Sequence, residues 1–413
     1  MIGLSDSRVL GSSGTCTQIV LKVTPLSRST SRNKEYGLNK VFSVCTVPVP
    51  THCNHFAAIL VRWRFSQSQW LRRTTLLCGK PNVPPILVGL SDYFARHRDA
   101  EPAFTTYRNY VEDLERILEL EFGNIERRLS AIVESVLALP AVLKLSKRAL
   151  TPDDLDDVRQ SLERAWGMLR AMWVPLDLEE FITEFNATIP ITAYYAAYHA
   201  ILATVSATSH RGNNSHRTTL NDASTLVARE LLPWPWSSTC EGCPQLDEEV
   251  FNGFPHAINE VHPFKSLSDE DLAHRLGALL KSTREKELDL RFDNERKKLL
   301  KVNRKNLKRD EKRRMADGLA STTIFDVLWR IRKKANYEGA DVFVLGAPNA
   351  NEARRFGESL IAIVDATIMA LEAVVDRVVG DDQVATWLWA YSKRSSGAEC
   401  LERHLEALTS ISK

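Results

Sequence analysis

Asn351–Val379 reads NEARRFGESLIAIVDATIMALEAVVDRVV. Apolar side chains recur along it every three or four residues, which is the spacing of one face of an α-helix. Gly380 follows directly and is a natural end for such a helix. Burial of eight or nine apolar side chains, at about 1.5–3 kcal/mol each, is enough to anchor a helical core. The positions in register are Phe356, Leu360, Ile363, Val364, Thr367, Leu371, Val374 and Val378.

The same helical period recurs through most of the sequence after Pro85. Thr151 followed by Pro152 predicts a helix start, because threonine can cap free amide groups and proline fits the first helical position. Thr323 with Asp326 three residues later predicts another start. No competing strand pattern is found after Pro85. The sequence therefore predicts an all-α protein built as an antiparallel helical bundle.

The organisation changes along the chain. Residues 1–85 are rich in Ser, Thr and Arg and show no sustained period, so we predict a poorly ordered extension there. The rest divides into a helical N-terminal part at 86–150, the first half of the bundle at 151–232, an insertion with an irregular segment and a long basic helix at 233–320, and the second half of the bundle with a C-terminal tail at 321–413.

The composition sets broad limits on the class of protein. The chain has 413 residues, of which 44% are hydrophobic and 26% charged, which is typical of a soluble globular protein. A net charge of +2 does not by itself argue for nucleic acid. Seven cysteines without a recognisable signal peptide favour a reducing, cytoplasmic location. The early apolar run Phe56–Val61 is far shorter than a bilayer span, so we expect no membrane segment.

A first informative string is AYYAAYHA, Ala193–Ala200. On a helix its alanines form a narrow stripe that lets a neighbouring helix approach closely, with tyrosines on either side. His199 lies next to the stripe and is a candidate for chemistry. The alternative is that the tyrosines are core aromatics and His199 is a hydrogen-bonded interface residue.

A second string is RIRKKANYEGAD, Arg330–Asp341. It places two arginines and two lysines one turn ahead of an Asn-Tyr pair, where the helix is expected to end. A guanidinium near such a terminus suits a phosphate diester. The alternative is a solvated basic face. The candidate residues are Arg330, Arg332, Lys333, Lys334, Asn336 and Tyr337.

Together these strings resemble the HEPN superfamily, over residues 150–210 and 320–380. Its members are compact four-helix domains that often cleave RNA, and the active motif is an Arg, four residues, a His, one residue and a Tyr. Arg330 falls on the motif's arginine, Tyr337 on its tyrosine and Ala335 on its histidine. The ending Asn336-Tyr337 is similar to a branch that ends in Asp-Tyr. The resemblance requires the two strings to be neighbouring helices.

The resemblance implies an RNA-associated protein, a metal-independent ribonuclease of non-standard type in a defence or toxin–antitoxin setting. In such enzymes the histidine moves a proton at the ribose 2′-hydroxyl and the arginine steadies the phosphate. Ala335 cannot move a proton. His199 and His216 are the candidate replacements. Arg211 and His216 are separated by four residues as in the motif, and the alternative is a flexible polar loop with coincidental spacing. Arg332, Lys333 and Lys334 are the candidate RNA contacts.

Other partners also follow from the resemblance. Superfamily members often pair through helices beside the motif, so a homodimer is expected. The alternative function, which Ala335 favours, is a catalytically inactive helical module for dimerisation or for binding a protein partner. No cofactor is expected under either interpretation.

Two further patterns have open interpretations. Cys240, Cys243, His256 and His262 have the spacing of a two-Cys, two-His zinc site, although the aromatic and leucine positions of a zinc finger are not matched, so coincidental spacing is the alternative. The stretch Arg284–Arg314 carries 14 basic residues against 7 acidic ones and is either an RNA backbone contact or a solvated helix face.

Overall fold

The computed structural model describes residues 85–147, 150–177, 182–209, 215–258, 272–300, 306–380, 382–394 and 399–410. The chain divides into two units, Met1–Leu90 and Ser91–Lys413, and nearly all described residues belong to the second unit. The extension predicted for residues 1–85 lies outside the described residues except for its last position.

Helices account for most of the described residues, which confirms the predicted all-α class. They are α1 Pro85–Phe122, α2 Ile125–Ala138, α3 Pro140–Leu143, α4 Pro152–Asp177, α5 Ile182–Phe185, α6 Thr188–Ser209, α7 His216–Ala228, α8 Leu272–Leu300, α9 Arg309–Asp317, α10 Ile324–Lys333, α11 Asp341–Val344, α12 Ala350–Val379, α13 Gln383–Arg394 and α14 Glu399–Ser410. Among the described residues, no helix has the length and apolar character that crossing a membrane requires.

The predicted helix starts are confirmed by their capping hydrogen bonds. The Thr151 hydroxyl accepts from the Asp154 amide at 3.1 Å, and the Asp154 carboxylate accepts from the Thr151 amide at 3.1 Å. The Thr323 amide likewise donates to Asp326 at 2.8 Å. Because these contacts join residues three apart, they depend only on local sequence.

The helix α12 forms the centre of the fold. It is buried around nearly its whole circumference, as expected of a helix enclosed by others. It packs against α2, α4 and α6, and α6 packs in turn against α4 and α10. Gly380 ends α12 in a left-handed conformation at φ 74°, as predicted from the glycine. The helix predicted to anchor the core thus lies at its centre.

A β-hairpin interrupts the helical pattern, and its prediction as an irregular segment was wrong. Strands β1 Thr239–Cys243 and β2 Glu248–Asn252 pair antiparallel, with Cys240 opposite Phe251. Buried Arg284 of α8 donates to the carbonyl oxygens of Gly242 at 2.7 Å and Ala320 at 2.9 Å. The hairpin is stabilised by these long-range contacts, which a pattern search over five-residue strands cannot detect.

The basic stretch also differs from its prediction as one long helix. It falls on two helices, α8 and α9, with residues 301–305 outside the described part. Arg309 and Arg313 of α9 both pair with Glu248 of the hairpin, at 2.6 and 2.5 Å. Two of the basic residues are therefore engaged in ion pairs that join α9 to the hairpin.

Candidate functional site

The two strings lie side by side in the structure. The alanine stripe of α6 is buried, and Tyr194 from the same helix is 2% exposed. The Tyr194 ring meets the Trp329 ring of α10 with the ring centroids 5.0 Å apart. Small side chains on α6 thus allow the close helix packing that brings its tyrosines to the basic string.

Arg332 is enclosed by four aromatic rings. Its guanidinium carbon lies 4.7 Å from the ring centroid of Trp329, 5.1 Å from Tyr337, 5.4 Å from Tyr195 and 5.8 Å from Tyr194. Its Nη2 donates to the hydroxyl of Tyr195 at 3.0 Å and to that of Tyr337 at 3.4 Å. We call these five residues the Arg332 cage.

The charge of Arg332 is not balanced by any described carboxylate. The residue is 4% exposed, and its Nε is buried without a hydrogen-bond partner. No ion pair joins it to another described residue. Cation–π contacts contribute about 2 kcal/mol or more when desolvated, but they supply no counter-ion, and burial of a charge without one costs several kcal/mol. The cage is therefore a place where an anion would be stabilised.

His216 lies against this cage. It is the first residue of α7, and the Ser215 hydroxyl caps that helix by accepting from the Thr218 amide at 3.2 Å. Its Nδ1 is 3.1 Å from the Tyr194 hydroxyl, and its ring is 5.3 Å from Trp329. Partial burial and the charge of Arg332 lower the pKa of His216. Its imidazole is neutral near pH 7 and able to accept a proton. Arg211, which precedes it with motif-like spacing, lies outside the described residues.

His199 lies on the other side of Tyr198. The Tyr198 ring is 5.3 Å from His199 and 4.9 Å from His216. Burial, with the charge of Arg164, lowers the pKa of His199 to about 4. Its Nδ1 is buried without a hydrogen-bond partner. Both candidate histidines are thus held neutral in one aromatic cluster.

Arg330 points away from the cage. Its Nη1 donates to the hydroxyls of Ser282 at 2.7 Å and Thr283 at 3.1 Å on α8, and its guanidinium lies 5.9 Å from the Tyr107 ring. Side chains two positions apart on a helix diverge by about 160°. Arg332, not Arg330, therefore contacts the hydroxyl of Tyr337.

The end of the second string is a π-helical turn, Lys334–Glu338. Such turns are rare and occur often at functional sites. Within it Ala335 is 2% exposed and belongs to the core, while Asn336 is exposed and Tyr337 is 69% exposed. Lys334 is half-buried. The turn gives Tyr337 a ring contact with Arg332 while most of that side chain remains open to solvent.

A solvent-open groove lies between α7, α8 and α10. A second depression continues it toward Asn294 and shares most of its lining. We call this the basic groove. Its charged lining consists of Arg217, Lys286, Glu287, Arg291, Asp326, Arg330 and Lys333, and its apolar lining includes Leu220, Leu290 and Trp329. Trp329 is not among the site residues predicted from the sequence, although it lies three residues before Arg332 and so on the same helix face.

Cations are in excess in the basic groove. Glu287 pairs with Arg217 at 2.6 Å and lies 3.9 Å from Arg291. Asp326 is occupied in capping Thr323, and burial raises its pKa to about 6. Burial and the nearby charge of Arg217 lower the pKa of Arg291. The crowding of like charges makes this surface a favourable one for anions.

The cysteine and histidine pattern does not assemble in the described part of the chain. Cys240 and Cys243 are buried, and burial raises the pKa of Cys240 to about 12 and also that of Cys243. His256 is exposed, and His262 lies outside the described residues. No group of three metal-ligand side chains occurs among the residues described. The buried thiols are protonated core residues.

Comparisons of the chain with protein-family models, with curated proteins and with solved structures find no match. The arrangement of side chains in the cage and the groove is therefore the basis for assigning a function.

Proposed function

We propose that the protein is a HEPN-like, RNA-associated protein that cleaves RNA without a metal ion at the Arg332 cage. The observation that carries this proposal is the placement of Arg332, Tyr195 and Tyr337 beside neutral His216, brought together by α6, α7 and α10. The resemblance of the two strings to HEPN domains supports an association with RNA and suggests a defence or toxin–antitoxin setting, although the proposed site uses Arg332 where the motif has Arg330.

In the proposed reaction the ribose 2′-hydroxyl attacks the adjacent phosphorus. The 2′-oxygen–phosphorus bond forms, the bond from phosphorus to the 5′-oxygen breaks, and the products are a 2′,3′-cyclic phosphate and a 5′-hydroxyl. A base must take the 2′ proton, and solvent water supplies the proton that the departing 5′-oxygen takes up. Neither step requires an oxidant or a co-reactant.

His216 is the proposed base. When its Nδ1–H donates to the Tyr194 hydroxyl, Nε2 carries the lone pair that accepts the proton. Burial raises the pKa of Tyr194, which keeps that hydroxyl protonated. His199, across Tyr198, is the second candidate base. The lowered pKa of each histidine keeps it in the proton-accepting form.

Arg332 and Tyr337 stabilise the developing negative charge in this proposal. The Tyr337 oxygen accepts a hydrogen bond from Arg332, so its own O–H points away and can donate to a phosphate oxygen. A donor that is already held by a neighbouring cation needs no reorganisation during the reaction. Arg330, Lys333, Lys334 and Asn336 are the proposed contacts to the rest of the RNA.

The experiment is incubation of purified protein with total RNA in EDTA, with detection of 2′,3′-cyclic phosphate ends. We expect His216→Gln to slow cleavage by about 10²–10⁴-fold, the range for loss of a general base. His256→Gln makes the same change at an exposed histidine outside the cage and should leave the rate unchanged. Cleavage that survives both His216→Gln and Arg332→Met would refute the assigned site.

The second candidate function is a non-catalytic module for dimerisation or for binding a protein partner. The specific observation in its favour is Ala335, which occupies the motif's histidine position as a buried core residue. Absence of cleavage and of RNA binding at low salt, with a stable dimer by light scattering, would select this function.

A further inference from the structure

The basic groove extends along one helix for the length of a short oligonucleotide. Its α8 wall runs from Thr283 to Asn294, which spans roughly 16 Å at the rise of an α-helix. Phosphates of a stacked single strand are about 3.4 Å apart along the axis. The groove thus matches about four or five stacked nucleotides, or fewer if the strand is extended.

Cations line both walls of the groove. Lys286 and Arg291 come from α8, and Arg330 and Lys333 from α10. Arg330 is held in place by the hydroxyls of Ser282 and Thr283. A strand between the walls would thus meet positive charge on both sides, and each phosphate neutralised would release counter-ions.

Trp329 supplies an aromatic surface within the same groove. It is half-buried, it lines both parts of the groove, and its ring is also in contact with Arg332 at 4.7 Å and His216 at 5.3 Å. Leu290, on the α8 wall, is 41% exposed. Stacking of a base on an aromatic side chain contributes about 1–3 kcal/mol and tolerates any base. An acidic peptide would use the cations but would leave the indole surface without a planar partner.

We infer that the basic groove binds a short stretch of single-stranded RNA, with one base stacked on Trp329 and the strand leading from there to the Arg332 cage. This inference rests on the proposed RNA function and adds the path of the strand outside the cage. It predicts binding with little sequence preference and with strong dependence on salt.

The test uses a fluorescein-labelled 2′-O-methyl RNA pentanucleotide, measured by fluorescence anisotropy on the full chain. This probe lacks the 2′-hydroxyl nucleophile and cannot be cleaved, so binding is measured apart from catalysis. We expect binding that weakens steeply as salt is raised, and competition by unlabelled pentanucleotides of any sequence. Equal competition by an oligoglutamate peptide of the same charge would overturn the inference.

The chain offers a matched control for the groove. Trp329 and Lys333 are four residues apart on α10, and Trp389 and Lys393 repeat that pair on α13, outside the groove. We expect Trp329→Leu and Lys333→Glu each to weaken binding by about tenfold. Trp389→Leu and Lys393→Glu should leave binding unchanged. The inference would be overturned if the Trp389 and Lys393 variants weakened RNA binding as much as the Trp329 and Lys333 variants.

Two further variants avoid the cage altogether. Trp329→Leu also removes one wall of the cage, whereas Lys286→Glu and Arg291→Glu leave the cage residues unchanged. We expect the combined Lys286→Glu, Arg291→Glu variant to remain folded, as judged by its helical circular dichroism, and to lose most of its salt-dependent binding. Wild-type binding by this folded variant would refute the groove as the site.

Two experimental outcomes distinguish RNA binding in the groove from RNA cleavage at the cage. Groove-dependent binding of the pentanucleotide without cleavage of total RNA would retain the groove site and reject the ribonuclease. Cleavage that depends on His216 but is unchanged in all groove variants would retain the ribonuclease and reject the groove site.

Discussion

Two buried cations of this protein have opposite surroundings. His404 of α14 is fully buried, with its Nδ1 2.7 Å from Glu372 and its Nε2 2.8 Å from Asp365, both on α12. The Trp166 indole also donates to Glu372. We call these four residues the His404 cluster. Arg332 is almost as deeply buried, but aromatic rings and tyrosine hydroxyls surround it instead of described carboxylates.

The difference separates a structural role from a functional one. Burial alone would lower the pKa of His404, but the carboxylates of Glu372 and Asp365 outweigh it and raise the pKa to about 10. The His404 cluster is thus charge-compensated, closed to solvent, and joins the C-terminal helix to the core. The Arg332 cage has an exposed tyrosine and no described counter-ion, so it can accept an anion from outside.

The largest expected effect is on the His404 cluster. His404→Leu leaves Glu372 buried without its cation and Asp365 with only Arg403, and removal of one partner from a buried ion network costs about 3–5 kcal/mol. We expect the free energy of unfolding in urea to fall by that amount. The control is Arg403→Leu, since Arg403 is 3.5 Å from Asp365 but 30% exposed, and its loss should cost about 1 kcal/mol or less. Equal losses of unfolding free energy in His404→Leu and Arg403→Leu would contradict the structural role assigned to His404.

The second prediction is that the two regions respond to pH in opposite directions. The pKa of His404 is raised, so its contribution to stability is complete below pH 6.5 and is lost as pH rises through about 10. The pKa of His199 is lowered to about 4, so the unfolded chain binds the proton more readily, and stability declines as pH falls from 6.5 toward 4.

Urea unfolding between pH 4 and pH 10 tests this, as a difference between variants and wild type. His404→Gln should flatten the alkaline side of the stability profile. His199→Gln should flatten the acid side between pH 6.5 and pH 4 and leave the alkaline side unchanged. If either variant changed stability equally on the acid and alkaline sides of the profile, the substituted histidine would not be the titrating group.

The smallest expected effect on stability is in the cage. Arg332→Met leaves no described carboxylate without its cation. It removes the hydrogen bonds that Arg332 donates to the hydroxyls of Tyr195 and Tyr337, so we expect the free energy of unfolding to fall by about 1 kcal/mol. RNA cleavage should nevertheless be lost, as measured by cyclic-phosphate ends. A loss of stability as large as that of His404→Leu would assign the cage to the scaffold.

The parts of the fold that sequence predicted are those set by near neighbours. The capping pairs Thr151–Asp154 and Thr323–Asp326 and the apolar face of Asn351–Val379 all depend on contacts within a few residues, and the structure has them. The β-hairpin escaped prediction because its stabilising contacts come from Arg284, about forty residues away in the chain.

The candidate site was predicted only in part for the same reason. Both strings were identified, with His216 and the tyrosines, but the groove was not, because its walls come from three helices separated in sequence. Which arginine contacts Tyr337 depends on the rotation of α10 against α6 and on the π-helical turn that follows it. The motif spacing favoured Arg330, and the helix packing places Arg332 there.

The sequence alone thus determined that this chain is helical, that helices start at Pro152 and Ile324 and that α12 ends before Gly380, and which residues supply cationic and aromatic side chains, since these properties follow from local hydrogen bonds and periodicity. Only the tertiary structure decided which cation is compensated and which is not. Charge compensation depends on contacts between different helices: Asp365 and Glu372 of α12 pair with His404 of α14, whereas no described carboxylate pairs with Arg332.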